Sequence, residues 1–364
     1  MSEARYFIGL MSGTSLDGVD AVLADFDDGP HLLATHHVPY EASLREPLLA
    51  LNTPRHDELR SASELSVRVS ACYAQACNAL IAQAGLDKHA VRAIGCHGQT
   101  VRHRPDMGYT LQLNQPALIA ERCGIDVIAD FRSRDIAAGG QGAPLVPAFH
   151  AQVLATADEH RVVLNLGGIA NVTDLPTSGK VRGFDTGPAN ALMDGWIEQH
   201  LAKTFDADGA WAASGRVLPD LLARFLAHPF LHQAPPKSCG REEFSAEWLA
   251  SQLHGDEAPQ DVQATLAELT ARACADAVRQ HCGQPDRLIV CGGGARNGHL
   301  MRRLAALLAP TTVTSSDAHG VPSQWMEAFA FAWLARQCVL RQPGNLSAVT
   351  GARGPRILGA LYPA

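Results

Sequence analysis

Three glycine-rich turns carry the residue types that could bind a polyphosphate. The first lies in residues 7–26, FIGLMSGTSLDGVDAVLADF, between two apolar runs. The second lies in residues 162–175, VVLNLGGIANVTDL, and the third in residues 287–300, RLIVCGGGARNGHL. Backbone N–H groups without a neighbouring Cβ can converge on phosphate oxygens, and hydroxyls add further donors. The alternative interpretation is that all three are tight turns, because one glycine-rich turn alone is a weak signal.

These turns supply the candidate phosphate-binding residues. The candidates are Gly13, Thr14, Ser15, Leu16, Asp17, Gly18, Val19, Asp20, Gly167, Gly168, Gly292, Gly293 and Gly294. The usual nucleotide motifs are missing from the sequence. No G-x-x-x-x-G-K-[ST] occurs, and Asn297 replaces the last glycine of a G-x-G-x-x-G spacing. The site is therefore not a P-loop, and Rossmann-type dinucleotide binding is disfavoured.

One carboxylate is a candidate general base. Asp185 lies in residues 183–193, GFDTGPANALM, where an apolar segment ends. Pro188 is favoured at a first helical position, so we expect a helix to begin beside the carboxylate. The N–H groups of that helix would keep the carboxylate ionised at neutral pH. On the residues alone, a helix N-cap role for Asp185 or Thr186 is an equally good interpretation.

Five other polar residues are weaker candidates for binding a small polar ligand. His97 and Gln99 follow a predicted strand, where ligand sites gather in open α/β sheets. Arg132 and Asp135 lie in a glycine- and proline-rich stretch, and Glu327 opens the apolar helix MEAFAFAWLARQ. The alternatives are a structural histidine, a solvated ion pair and an early-turn helix acid. No H-E-x-x-H or paired-cysteine spacing indicates structural zinc.

The elements that would position these residues alternate between strands and helices. A helix is predicted over 57–84, ending at Gly85, and strands are predicted over 91–94 and 126–129. Glycine and proline cluster in residues 130–147, which are the best domain boundary. Two glycine hairpins, one opening each half, and the later strand–Gly-Gly-Gly–helix unit imply two similar α/β lobes facing across a cleft. We predict an N-terminal domain over 1–140 and a C-terminal domain over 141–364, whose last segment could return to the first lobe.

Composition and charge exclude several classes of protein. The length of 364 residues favours two or three domains. The net charge of −7 argues against binding to nucleic acid or to an anionic membrane surface. No apolar run approaches the roughly 20 residues that span a bilayer. The nine cysteines form no C-x-x-C pair, and MSEARYFIGL has no features of a signal peptide, so a cytoplasmic location is expected.

Six motifs form a recognisable set. They are GLMSGTSLDGVDAVL, CHGQTVRHRP, DFRSRDIAAGGQGAPLVP, LNLGGIANVT, GFDTGPANALMD and CGGGARN. Together they resemble the anhydro-N-acetylmuramic acid kinase family of the hexokinase–actin superfamily, over nearly the whole chain. The resemblance implies a two-lobed, ribonuclease H-like α/β fold with ATP in the interdomain cleft. It also implies ATP-dependent conversion of 1,6-anhydro-N-acetylmuramic acid to N-acetylmuramic acid 6-phosphate in peptidoglycan recycling, in which water opens the anhydro bond and the freed O6 takes the γ-phosphoryl group.

The resemblance also implies roles for the candidate residues. The three glycine turns would bind ATP, and Mg²⁺ would arrive bridging its phosphates. Asp185 would be the catalytic base that deprotonates the attacking water, and this role is now favoured over the N-cap. The substrate contacts would be His97, Gln99, Arg132 and Glu327.

The metal ligands stay open, because the chain departs from the wider superfamily at one position. Sugar kinases of that group carry an aspartate near the end of the first strand, in a D-x-G-x-T pattern, and Leu10 stands at the equivalent position here. Asp17, Asp20 or water alone could organise the metal instead. A homodimer is expected from the resemblance alone.

Two other classes of function remain as alternatives. The first is another phosphotransferase of the superfamily, such as a hexose or carboxylate kinase. The second is a non-catalytic nucleotide switch like an actin or a heat-shock chaperone. A switch protein needs no sugar-dependent base, so the GFDTGPAN motif favours an enzyme.

Overall fold

The chain divides into two compact units. The computed structural model describes residues 4–13, 16–53, 56–239 and 243–364. The first unit comprises Met1–Phe149 and Trp325–Ala364, and the second comprises His150–Gln324. The C-terminal segment is therefore part of the first unit.

The strands and α-helices follow the chain in an alternating order. The strands are β1 (Tyr6–Met11), β2 (Gly18–Asp25), β3 (His31–Pro39), β4 (Val91–Cys96), β5 (Gln99–Arg104), β6 (Tyr109–Leu113), β7 (Val127–Ala129), β8 (Arg161–Leu166), β9 (Ile169–Leu175), β10 (Arg182–Pro188), β11 (Arg287–Cys291), β12 (Thr312–Ser315) and β13 (Ala360–Tyr362). The helices are α1 (Ala42–Ala50), α2 (Glu58–Ala84), α3 (Pro116–Cys123), α4 (Ser133–Ala137), α5 (Val146–Leu154), α6 (Asn190–Leu201), α7 (Ala210–Ser214), α8 (Pro219–Leu226), α9 (Ala246–Gln252), α10 (Pro259–His281), α11 (Gly298–Leu308), α12 (Met326–Val339) and α13 (Ser347–Thr350).

The main sheets of the two units share one strand plan. In the first unit the order is β3-β2-β1-β4-β7-β13, in which β1 to β3 are antiparallel and β4 and β7 continue parallel to β1. In the second unit the order is β10-β9-β8-β11-β12, in which β8 to β10 are antiparallel and β11 and β12 continue parallel to β8. Among the strands of the described residues, only β13, which pairs antiparallel with β7, has no counterpart in the second sheet. This repetition confirms the predicted α/β fold class, with a ribonuclease H-like plan in each unit.

Most of the predicted elements are confirmed. The helix predicted over 57–84 is α2, which ends at Gly85 with the left-handed φ of 65° that favours glycine. The strands predicted over 91–94 and 126–129 are β4 and β7. In the third glycine turn, β11 leads to α11, whose N-cap Asn297 accepts a hydrogen bond from the Leu300 N–H.

Helix α12 packs on the first sheet through two glycines. A Cβ at Gly9 of β1 would lie 1.9 Å from the Ala328 carbonyl oxygen, and one at Gly95 of β4 would lie 2.1 Å from the Phe331 carbonyl oxygen. Only glycine therefore permits this close approach of helix and sheet. The packing fixes the first turn of α12, which carries Glu327, against the sheet of the first unit.

Each unit has its own apolar core. In the first unit, α2 covers the sheet with Val69, Tyr73 and Leu80, all fully buried. In the second unit, the central helix α10 is buried along nearly its whole length, with Leu266 and Leu269 among its core residues.

Candidate active site

The first glycine turn connects β1 to β2, and its members differ in accessibility. Thr14 and Ser15 lie outside the described residues. Leu16 is buried and has a positive φ of 56°. Gly13 is partly exposed and Asp17 is exposed.

The residues that follow this turn belong to β2. Gly18 is buried, and a Cβ there would lie 2.3 Å from the Val38 carbonyl oxygen of β3. The side chain of Val19 has no exposed surface and packs in the core. The Asp20 carboxylate lies 2.7 Å from Nδ1 of His37, and burial raises the pKa of Asp20 against the opposing effect of His37. Asp20 is thus engaged with β3.

Gln99 joins the β4–β5 connection to the first glycine turn. The Ser12 hydroxyl donates to Gln99 Oε1 at 2.5 Å, and Gln99 Nε2 donates to the Gly13 carbonyl at 3.2 Å. The Gln99 residue is 1% exposed. Both ends of its amide are therefore held by the turn, an arrangement that the sequence analysis did not anticipate.

His97, which is buried, pairs with Arg132, which is partly buried, in the first unit. Arg132 donates to Nε2 of His97 from Nη2 at 2.8 Å and from Nε at 3.3 Å, and its Nη1 donates to the Gly142 carbonyl at 2.7 Å. Burial and the Arg132 charge hold the pKa of His97 well below its ordinary value, so the ring is neutral and Nε2 is an acceptor. The ring also packs against Phe331, with centroids 4.7 Å apart.

Arg132 stays charged in this setting. Burial lowers the pKa of Arg132 to about 10, while Glu327 and Asp135 oppose that effect. Glu327, in the first turn of α12, is thus electrostatically linked to Arg132. The structure accordingly brings together His97, Gln99, Arg132 and Glu327, the four predicted substrate residues, in the first unit.

Asp135 has a structural position. It has no exposed surface, and its carboxylate accepts hydrogen bonds from Asn345 Nδ2 at 2.6 Å, Thr350 Oγ1 at 2.7 Å and the Gly142 N–H at 2.8 Å. Protein donors therefore occupy the buried carboxylate, which disfavours the ligand contact predicted for Asp135. Because Gly142 also accepts from Arg132, Asp135 helps to fix the arginine.

The second and third glycine turns lie together in the second unit. The turn between β8 and β9 contains Gly167 and Gly168, whose carbonyls accept hydrogen bonds from the backbone at the start of α6. The Asn190 side chain donates to the Leu166 carbonyl at 2.8 Å. Cβ atoms at Gly292 and Gly294 would lie 2.8 Å from the Leu166 carbonyl oxygen and 2.5 Å from the Leu166 Cβ. Residues 167–168 and 292–294 thus meet at the end of β8.

Asp185 lies within a strand, so the expected helix start beside it is wrong. β10 continues to Pro188, and α6 begins at Asn190 with Ala189 as its N-cap. Asp185 pairs with Asn171 of β9 and is not a helix N-cap. The helix is displaced because β10 is an edge strand, where a proline removes no ladder hydrogen bond.

A segment distant in sequence holds Asp185. Its backbone N–H donates to the Lys237 carbonyl at 3.0 Å, and its Oδ2 accepts from the Cys239 N–H at 2.9 Å. Burial raises the pKa of Asp185 to about 6, and the Cys239 N–H and the Lys237 charge oppose the shift. A carboxylate with this pKa is mostly ionised at pH 7 and can take up a proton, as a general base requires.

Sequence reasoning missed Lys237, Cys239 and Ser12. Lys237 is buried, with Nζ 3.2 Å from the Phe230 carbonyl oxygen and 4.7 Å from the centre of the Phe230 ring. No local pattern marks residues 237–239 as partners of Asp185. Ser12 stands beside Gly13 in the first motif, and that adjacency was an available signal.

No group of three or more His, Cys, Asp or Glu side chains in ranges 4–13, 16–53, 56–239 and 243–364 is arranged to hold a metal ion. Over the same part of the chain, no helix combines the length and apolarity needed to cross a bilayer.

Comparisons with known proteins identify the family. The sequence profile described as Anhydro-N-acetylmuramic acid kinase matches residues 5–364. Proteins of that name from Thiobacillus denitrificans and Nitrosospira multiformis are 55% and 53% identical, covering 100% of this chain and 98% and 100% of those proteins. A ROK family glucokinase structure from Streptomyces griseus is 17% identical with a TM-score of 0.42, covering 91% of this chain and 99% of that one. On the profile and the full-length relatives, the chain belongs to the anhydro-N-acetylmuramic acid kinase family.

Proposed function

We propose that the protein is a kinase that uses ATP to convert 1,6-anhydro-N-acetylmuramic acid to N-acetylmuramic acid 6-phosphate. The observation that carries this proposal is the full-length sequence identity of 53–55% to relatives named anhydro-N-acetylmuramic acid kinase. The physiological setting that we propose is the recycling of peptidoglycan sugars. A homodimer stays a prediction.

Asp185 is the proposed catalytic base. In this mechanism Asp185 takes a proton from water as the water oxygen bonds to C1 of the sugar. The C1–O6 bond breaks, and O6 takes the γ-phosphoryl group as the bond to the β-phosphate oxygen breaks and ADP leaves. The pKa of about 6 supports this role, because general bases work best with a pKa near the operating pH.

The glycine turns are the proposed ATP contacts. Gly13 and Asp17 in the first unit are accessible, and residues 167–168 and 292–294 lie together in the second unit. The Mg²⁺ that accompanies ATP would be held mainly by phosphate oxygens and water. Such an ion would neutralise charge that develops during phosphoryl transfer.

Arg132, His97 and Glu327 are the proposed sugar contacts. Arg132 carries a positive charge in a partly buried position, and hydrogen bonds to a charged group are strong. The neutral His97 ring and the Gly142 carbonyl fix the direction of its guanidinium group. Glu327 has the carboxylate chemistry to accept from a sugar hydroxyl.

A substrate comparison tests the proposed function. ADP formation is measured with purified protein and ATP in the presence of 1,6-anhydro-N-acetylmuramic acid, glucose or acetate. We expect turnover with the anhydro sugar alone and a product phosphorylated at O6, as read by phosphorus-coupled NMR. Equal turnover with glucose or acetate, or ATP hydrolysis that ignores all three compounds, contradicts the proposal.

A further inference from the structure

We propose that Gln99 is a positioning residue that shapes the first glycine turn for ATP rather than a contact of the sugar. This inference rests on the proposed function, in which that turn binds the nucleotide. It replaces the substrate role expected for Gln99 from the sequence.

The backbone first brings Gln99 beside the end of β1. The His97 N–H donates to the Leu10 carbonyl at 3.0 Å, so the β4–β5 connection lies beside the C-terminal end of β1. Gly98 makes the bend with a φ of 82°. A Cβ at Gly98 would lie 2.4 Å from Nδ2 of Asn114, so a side chain is excluded there on two grounds.

The amide of Gln99 then clamps two consecutive residues of the turn. Its oxygen accepts from the Ser12 hydroxyl, and its nitrogen donates to the Gly13 carbonyl. The nitrogen is also 3.5 Å from the carbonyl of Thr100. With 1% of the residue exposed, no polar atom of the side chain remains for a ligand in solution.

Holding the Gly13 carbonyl has a direct consequence for the turn. The hydrogen bonds of Gln99 with the Ser12 hydroxyl and the Gly13 carbonyl hold the start of the turn in one conformation. Backbone N–H groups are the phosphate donors of a glycine turn, so their orientation before binding determines part of the affinity. Gln99 therefore acts on the nucleotide through Gly13, without touching it.

The test compares three single variants and one double variant by equilibrium binding. Gln99→Met keeps the length of the side chain and removes both polar ends, and Ser12→Ala removes the bond at one end only. Gln112→Met is the matched control, since Gln112 belongs to the same hairpin and bonds Thr100 and Thr110 instead of the turn. Dissociation constants are measured separately for a non-hydrolysable ATP analogue and for 1,6-anhydro-N-acetylmuramic acid, together with the melting temperature of each variant.

The proposal predicts a selective effect on the nucleotide. Loss of one or two hydrogen bonds gives an increase of about fivefold to tenfold in the dissociation constant of the ATP analogue for Gln99→Met, and a smaller increase for Ser12→Ala. The Ser12→Ala/Gln99→Met double variant should bind the ATP analogue as tightly as Gln99→Met alone. Gln112→Met should bind it as tightly as the wild type. The dissociation constant of the sugar should stay within about twofold of the wild-type value in all of the variants.

Several results overturn the proposal. A loss of sugar affinity with unchanged nucleotide affinity would return Gln99 to a substrate role. An equal loss of both affinities, or no loss in a folded Gln99→Met protein, also contradicts it, and Ser12→Ala decides the matter if Gln99→Met does not fold. A wild-type protein that fails to bind the ATP analogue refutes the proposed function itself, which separates the two failures.

Discussion

Replacing Asp185 by asparagine should abolish most activity while stabilising the protein at neutral pH. Burial raises the pKa of Asp185 from 3.8 to about 6, a difference of roughly 2 units. At about 1.4 kcal/mol per unit, the ionised form costs the folded state about 3 kcal/mol. Asparagine has no charge and keeps an oxygen that can accept from the Cys239 N–H, so it avoids this cost.

The sign of the pH dependence follows from the direction of this shift. Between pH 4 and pH 6, the folded protein retains a proton at Asp185 that the unfolded chain has lost. The free energy of unfolding of the wild type therefore falls, at this site, as pH rises through that window. The Asp185→Asn variant lacks this decrease. Its free energy of unfolding should therefore exceed that of the wild type by an amount that grows from near zero at pH 4 to about 3 kcal/mol at pH 7.

Two assays together check the prediction. Unfolding in urea between pH 4 and pH 8 gives the stability difference, and sugar-dependent ADP formation gives the activity. We expect a loss of about 10²-fold to 10⁴-fold in kcat for Asp185→Asn, as is typical when a general base is removed. In the wild type, kcat/KM should rise with pH through a midpoint near 6. A variant that keeps activity, or one whose stability relative to the wild type does not change with pH, would refute the reasoning.

Two further predictions concern stability. Asp135→Asn should reduce the free energy of unfolding by about 2–4 kcal/mol. The reason is that the new NH₂ group would face N–H or O–H groups whose hydrogen bonds the carboxylate now accepts. The exposed Asp28→Asn is its control and should lie within about 0.5 kcal/mol of the wild type in the same urea titration. Gly9→Ala should lower the melting temperature by several degrees, because its Cβ would lie 1.9 Å from the Ala328 carbonyl oxygen of α12. Gly195→Ala, where a Cβ would meet no neighbour, should raise stability by about 0.5–1 kcal/mol, and equal effects of the two substitutions would contradict the packing argument.

The fold could be predicted where local chemistry determines it. The two hairpins followed from apolar runs on either side of glycine turns, and they are β1–β2 and β8–β9. Gly85 predicted the C-terminal end of α2, and the helix ends there. These features depend on neighbours in sequence, so periodicity and turn residues were sufficient.

The candidate site could be predicted only in part, because its decisive contacts are distant in sequence. Pro188 indicated a helix beside Asp185, but a proline is equally acceptable in the edge strand β10, and strand position is a property of the whole sheet. The residues that hold Asp185 are more than 50 positions away, at Lys237 and Cys239. Gln99 was correctly placed near a strand end, but its partner Ser12 is 87 residues away.

The fate of oxygen from water tests the central claim most directly. The reaction is run with ATP in water enriched in oxygen-18, and the sugar phosphate and any free phosphate are analysed by mass spectrometry. The proposed mechanism predicts ADP and sugar phosphate in equal amounts, with no heavy oxygen in the phosphoryl group, because water attacks C1 and O6 receives the phosphoryl group. Heavy oxygen in the phosphoryl group or in released phosphate would show that water attacks phosphorus, and would contradict the account.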